Sequence, residues 1–169
     1  KRSHIAIGKI IALSTLSLIS GICSFLGIIL SLPKLVGGTG NISATVYTAS
    51  DYIMLLGIVL SSVLVIVALI SLISAFAKSV KEATNMIGPL MILVVLLGVS
   101  TMFTSGSAGA FFWYLIPLYN SARAMSGIFS FAASPLNVII TIASNLVVAL
   151  LLAFALAKMF DNEKIMFNK

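Results

Sequence analysis

Acid–base and nucleophilic chemistry has little to work with in this chain. Its carboxylates are Asp51, Glu82, Asp161 and Glu163, its imidazole is His4 and its thiol is Cys23. The acids and the histidine flank the long apolar runs and are absent from their interiors. An enzyme needs a nucleophile held against a base, or a cluster of metal ligands. Serines are abundant here, but no base accompanies them. Cys23 has no Cys or His at ligand spacing and no second cysteine to pair with, so it reads as a small hydrophobe. A Gly-x-x-x-x-Gly-Lys phosphate loop is also missing from the sequence, so ATP used by this protein would be hydrolysed on another chain. No catalytic residue, metal ligand or cofactor of its own is expected.

The remaining polar side chains matter because of where they sit. The chain is 60% hydrophobic and 8% charged, with a mean hydropathy of +1.21. Soluble domains carry about 25% charged residues. These values point to an all-α polytopic membrane protein. The net charge of +6 would suggest nucleic acid in a soluble protein. Here the basic residues flank apolar runs, so they read as topology signals facing the lipid bilayer, and no nucleic-acid partner is expected.

The stretch 108–131, AGAFFWYLIPLYNSARAMSGIFSF, is as long and apolar as a span but carries Pro117, Asn120 and Arg123 near its middle. Proline removes a helical hydrogen bond, and arginine at the bilayer centre costs roughly 2.5–3.5 kcal/mol. These three residues are candidates for an outer gate or for contact with an anionic group; alternatively Arg123 snorkels to the headgroups. Asn85, Asn137 and Asn145 could line a polar path, or hydrogen-bond between helices for about 1 kcal/mol each. With no acid in a span interior, a cation site there would have to use carbonyls, hydroxyls and amides. Phe111, Phe112, Trp113 and Tyr114 fit an interfacial aromatic belt, with substrate stacking as the other possibility.

Four apolar segments have to position these residues: about 5–32, 52–77, 86–103 and 136–158. Each is long enough for a hydrocarbon core of about 30 Å at 1.5 Å per residue. Pro33 is expected to close the first, and Ser50 or Asp51 to cap the second. Asp51 could alternatively be an ion ligand. Gly88 and Pro89 should fall in the first turns of the third. Ser17, Ser20, Ser24, Gly27 and Ser31 form one small-residue stripe, and Asn145, Ala149, Ala153 and Ala157 another, each suited to close helix approach. Lys78, Lys81 and Glu82 lie in a short charged turn in which Lys78 and Glu82 could pair at i,i+4. Residues 159–169 form a charged tail. The first residue is Lys rather than Met, so a longer polypeptide is expected.

Positive charge decides how the stretch 108–131 is placed. If it does not cross, Lys1, Arg2, Lys9, Lys78, Lys81, Lys158, Lys164 and Lys169 share one side against Lys34 and Arg123, eight to two. If it crosses, five (Lys1, Arg2, Lys9, Lys78, Lys81) face four (Lys34, Lys158, Lys164, Lys169). The positive-inside rule favours the first arrangement. The expectation is a re-entrant helical hairpin before the last span, broken near Pro117–Asn120, with both ends of the chain cytoplasmic. Irregular backbone survives at that depth only beside protein or a water-filled cavity.

The order of these parts resembles the C-terminal portion of an ABC transporter permease of the type-2 exporter class, NatB-like in detail. The stretches that carry the likeness are IAIGKIIAL (5–13), SAFAKSVKEATNMIGPLMIL (74–93), YLIPLYNSARAM (114–125) and AKMFDNEKIMF (157–167). The resemblance implies a permease dimer in the cell membrane, moving substrate outward with ATP and Mg held on a cytoplasmic ATP-binding subunit. Lys78, Lys81, Glu82, Glu163 and Lys164 would face that subunit, and the hairpin would be an outer gate. A membrane scaffold without transport activity is the alternative from another class.

Overall fold

A computed structural model of the chain describes residues 2–37, 47–103 and 111–161. The protein is all-helical over these residues. Helices α1 (Arg2–Gly37), α2 (Ala49–Phe76) and α3 (Val80–Phe103) are followed by a 3-10 helix (Phe111–Leu115), α4 (Tyr119–Phe129) and α5 (Pro135–Asp161). Four stretches, Ile11–Ser31, Ala49–Phe76, Val80–Thr101 and Pro135–Met159, are long and apolar enough to cross a membrane. This is a multi-pass membrane protein.

The helix starts follow from capping chemistry. α2 is capped by Thr48, two or three residues before the expected cap at Ser50 or Asp51. The Thr48 backbone N–H donates to Asp51 Oδ2 at 2.8 Å, and Asp51 N–H donates to the Thr48 carbonyl at 3.0 Å. The Thr48 hydroxyl donates to the same carboxylate. Asp51 thus occupies the third position of a capping box, where a carboxylate reaches back to an otherwise orphaned donor.

α3 begins six residues earlier than expected for the same reason. Glu82 N–H donates to Ser79 Oγ at 3.2 Å, and Glu82 Oε2 accepts the Lys78 backbone N–H at 2.8 Å. The expected Lys78–Glu82 side-chain pair is replaced by this cap. Pro89 then falls inside α3 rather than in its first turns, and removes the bond that would run back to Asn85. α1 also outruns its expectation: it passes through Pro33 to Gly37.

The core is built on α2 and α5, which run parallel. Gly57 meets Ile142, Ser61 meets Asn145, and Leu64, Ala68 and Ser71 face Ala149, Ala153 and Leu156 across an apolar groove of about 240 Å³. Residue numbers rise together along both helices. α1 packs antiparallel to α2, with Gly21 against Leu60 and Val63 and Phe25 buried beside Leu55 and Ile58. α4 is antiparallel to both α2 and α5. Its Ala124 and Ile128 enter the cluster of Leu55, Ile58 and Val138.

Between lipid-exposed helices burial from water supplies no drive, so close packing of small residues has to hold them together. The stripe that begins at Asn145 turns towards α2, but Ala149 and Ala153 line the groove, so close contact on this stripe is confined to the Asn145 end. The α1 stripe does not turn inward. Ser20, Ser24, Gly27 and Ser31 are exposed, and the face that packs is Gly21, Phe25, Ile28 and Ile29. Shape decided this, since the bulky side chains on that face fill the space beside Leu55 and Ile58. Cys23 is exposed on the other side of α1.

A Cβ added at Gly57 would lie 2.7 Å from Ile142 Cδ1, whereas one at Gly27 meets nothing within 4 Å. Gly57→Val should therefore destabilise by about 1–3 kcal/mol, the usual cost of overpacking. Gly27→Val should change stability by less than about 0.5 kcal/mol, as surface changes do. Thermal unfolding in detergent, followed by helical circular dichroism, separates the two.

Candidate functional site

The segment between α3 and α5 is not one continuous helix. Its 3-10 turn ends at Leu115, the chain breaks over Ile116–Leu118, and α4 starts at Tyr119. Pro117 cannot donate a backbone bond and its ring fixes φ, which stops the 3-10 turn there. Leu118 follows at φ 71°, a region a branched residue rarely occupies. Strain of this kind costs about 1–3 kcal/mol and persists only where the surroundings over-determine it.

The surroundings do so by capturing the carbonyls that the break releases. Asn120 Nδ2 donates to the Tyr114 carbonyl at 3.1 Å, and Ser144 Oγ on α5 donates to the Leu115 carbonyl at 3.0 Å. Asn120 N–H donates to the Ile116 carbonyl at 2.9 Å and starts α4. Asn120 is fully buried. The expected gate residue thus has a measurable first task, which is to make broken backbone tolerable among apolar helices.

Deeper in the junction is a polar cluster that joins three helices. Asn145 Nδ2 on α5 donates to Ser121 Oγ on α4 at 2.8 Å and to Ser61 Oγ on α2 at 3.3 Å. Ser121 Oγ donates on to Asn120 Oδ1 at 3.2 Å, and Ser61 Oγ to the Ile58 carbonyl at 3.0 Å. Thr141, one turn from Asn145 and fully buried, donates to the Asn137 carbonyl at 2.9 Å. At 1.5 Å per residue, Ser61 and Asn145 lie about 15–18 Å along α2 and α5 from their starts.

The other end of α4 is held by aromatic rings. Tyr47 is buried, its hydroxyl donates to the Phe129 carbonyl at 3.3 Å, and its ring stacks on Phe131 at 4.9 Å. Tyr52 meets the same ring edge-on at 6.2 Å. Burial pushes the Tyr47 phenol above its ordinary range, and the neighbouring Tyr52 and Asp51 add to the shift. Phe131, at φ 57°, turns the chain from α4 towards α5. One end of α4 is therefore at mid-bundle and the other is where α2 and α5 begin.

Arg123 is half-buried one turn beyond Asn120. Its Nη1 donates to the Tyr119 hydroxyl at 3.4 Å, and its guanidinium lies 5.7 Å from the centre of the Tyr114 ring. Trp113 packs against Tyr119 at 5.5 Å. The aromatic run therefore screens a cation as well as offering apolar surface, an attraction worth about 0.5–2 kcal/mol according to its exposure to water.

The structure brings Asn120, Arg123 and Asn145 into one neighbourhood, with Pro117 setting the break. It does not bring Asn85 there; Asn85 is exposed on α3. Lys78, Lys81 and Glu82 are exposed around the α2–α3 turn, while Glu163 and Lys164 lie outside the described residues. Sequence reasoning missed Ser61, Ser121, Thr141 and Ser144. Their only signal was a hydroxyl inside or beside a long apolar run, which many other serines here share. Among the described residues no three His, Cys, Asp or Glu groups lie close enough to hold a metal.

Asn120→Ala and Ser144→Ala each strand a carbonyl of the broken backbone. Asn120→Ala, which loses the bond of a fully buried side chain, should lower stability by about 1–3 kcal/mol, and Ser144→Ala, whose bond to the Leu115 carbonyl is exposed, by less. Ser130→Ala is the control, since its exposed hydroxyl bonds back only within its own helix, to Ser126 and Gly127. Thermal melts of the three variants should place Asn120→Ala well below the other two.

Set against known proteins, the chain finds no counterpart: no family model, no curated protein and no solved structure matches it.

Proposed function

We propose that this chain is the transmembrane subunit of an ATP-driven exporter of the ABC type-2 class, carrying a re-entrant hairpin on the outer side of the membrane. One observation carries the reading: α2 and α5 run parallel, with a broken segment docked between them. If α2 and α3 each cross the bilayer, α3 returns to the side where α2 began. α5 starts on that same side because it parallels α2. The intervening segment therefore enters and leaves on one face, dipping to Leu115–Ser121. The charge asymmetry supports calling that face the outer one, since Lys78, Lys81 and Lys158 then lie in the cytoplasm.

The resemblance in motif order supports the rest of the reading. Substrate moves outward past the hairpin, ATP and Mg are bound by a cytoplasmic partner, and a second permease copy completes the pathway. The α2–α3 turn offers the partner exposed Lys78 and Lys81 on a rigidly capped helix start. Glu82 contributes through that cap, because its carboxylate is already engaged with the main chain.

Sidedness tests the reading. In a Cys23→Ala background, Phe131→Cys should react with a membrane-impermeant maleimide in intact cells, and Lys169→Cys should react only after permeabilisation. Labelling of Lys169→Cys in intact cells would remove the hairpin topology and the exporter with it. A scaffold would give the same labelling but would fail to stimulate a co-expressed ATP-binding subunit.

A further inference from the structure

Beyond the polar cluster, α2 and α5 part around a narrow apolar groove. Leu64, Ala68 and Ser71 line it from α2, and Ala149, Ala153 and Leu156 from α5. Ser14 of α1 also lines it, and the exposed Leu146 and Leu150 lie along its open side. The volume is about 240 Å³. The alanines make the space, because each leaves unfilled what a larger side chain would occupy. Protein interiors hold few voids larger than a water molecule, so a space of this size that opens towards lipid is occupied.

Its dimensions select the occupant. At 1.5 Å per residue, the lining runs about 10 Å along α2 and about 15 Å along α5. That is the depth of one leaflet, half of a hydrocarbon core of about 30 Å. Spread over that length, about 240 Å³ admits one extended hydrocarbon chain. A helix, roughly 10–12 Å across with its side chains, is too wide to enter.

Charge selects the headgroup. α2 and α5 run parallel and α1 runs the other way, so the same end of all three helices lies beyond the groove. Lys158 stands two residues past Leu156, Lys78 seven past Ser71, and on α1 Lys9 stands five before Ser14. Lys78 and Lys158 are exposed, and among the described residues neither pairs with a carboxylate. Of the acids at this end, Glu82 is engaged with the Lys78 main chain and Asp161 ends α5. Basic residues around a cleft between membrane helices suit anionic headgroups.

We propose that this groove binds an anionic phospholipid from the leaflet on the lysine side. One acyl chain lies between α2 and α5, and the phosphate meets Lys78 and Lys158. Such a site requires a bilayer and a basic rim, and owes nothing to ATP or export, so it stands or falls separately from the permease reading.

Lipid binding to the full chain in a non-ionic detergent tests the site, with the bound fraction read by native mass spectrometry. Phosphatidylglycerol should bind at least threefold tighter than phosphatidylcholine of the same chain length. Ala153→Phe fills the groove and should weaken phosphatidylglycerol at least threefold; Val147→Phe, at an exposed position of α5 outside the lining, should weaken it less than threefold. Lys78→Gln combined with Lys158→Gln changes only exposed positions and should abolish the preference for phosphatidylglycerol. Equal binding of the two lipids, or a preference that survives the double lysine change, overturns the proposal. So does a loss under threefold in Ala153→Phe, or an equal loss in Val147→Phe. If Ala153→Phe does not fold, Ala149→Leu takes its place under the same criterion. A dimer in lipid-free detergent that Ala153→Phe dissociates would make a second copy the occupant, and would overturn the lipid site as well.

Discussion

Irregular backbone among apolar helices has to find its hydrogen bonds within the protein, and this requirement organises the second half of the chain. The break at Ile116–Leu118 frees the Tyr114 and Leu115 carbonyls. Asn120 supplies a donor from the next helix and Ser144 a donor from α5. Without a donor on each side, those carbonyls would be left unpaired among apolar helices. The positive φ at Leu118 is held by the same contacts, with Tyr119 packed against Trp113 below it. α4 can be short because it is fastened at both ends: by Ser121 at mid-bundle and by the Tyr47 clasp where α2 begins.

The rest of the bundle serves that docking site. α2 and α5 approach closely where Gly57 leaves room for Ile142. The packing is tight where hydroxyls and amides meet, then loosens into the apolar groove beside Ala68 and Ala149. α3 packs against α4 on one side and leaves much of its remaining surface open. Its apolar side chains, Met91, Ile92, Val95 and Leu96 among them, are exposed along its length. Their natural surrounding is acyl chain, which solvates such a face as well as protein does.

The long elements were legible from the sequence because twenty or more apolar residues admit few other structures. The break was legible for a related reason: Pro117 and Asn120 have no place in an ordinary span. The helix starts were read one to two turns late, because Thr48–Asp51 and Ser79–Glu82 hide their reciprocal caps in short polar stretches that look like turns. The α1 stripe misled because small residues permit close approach without requiring it, and Phe25 beside Gly21 offered the better fit. Ser61 and Ser121 could not be singled out at all. Each is one hydroxyl among many, and only the parallel pairing of α2 with α5 places it opposite Asn145.

That parallel pairing has a consequence for how the protein is made. Ser61 leaves the ribosome more than eighty residues ahead of Asn145, and Ser121 more than twenty ahead. The two serines, and the backbone break beside them, gain their α5 partners only once that helix is made. α5 thus completes the middle of the molecule, and without it the segment 111–129 has neither the Asn145 tie nor the Ser144 donor.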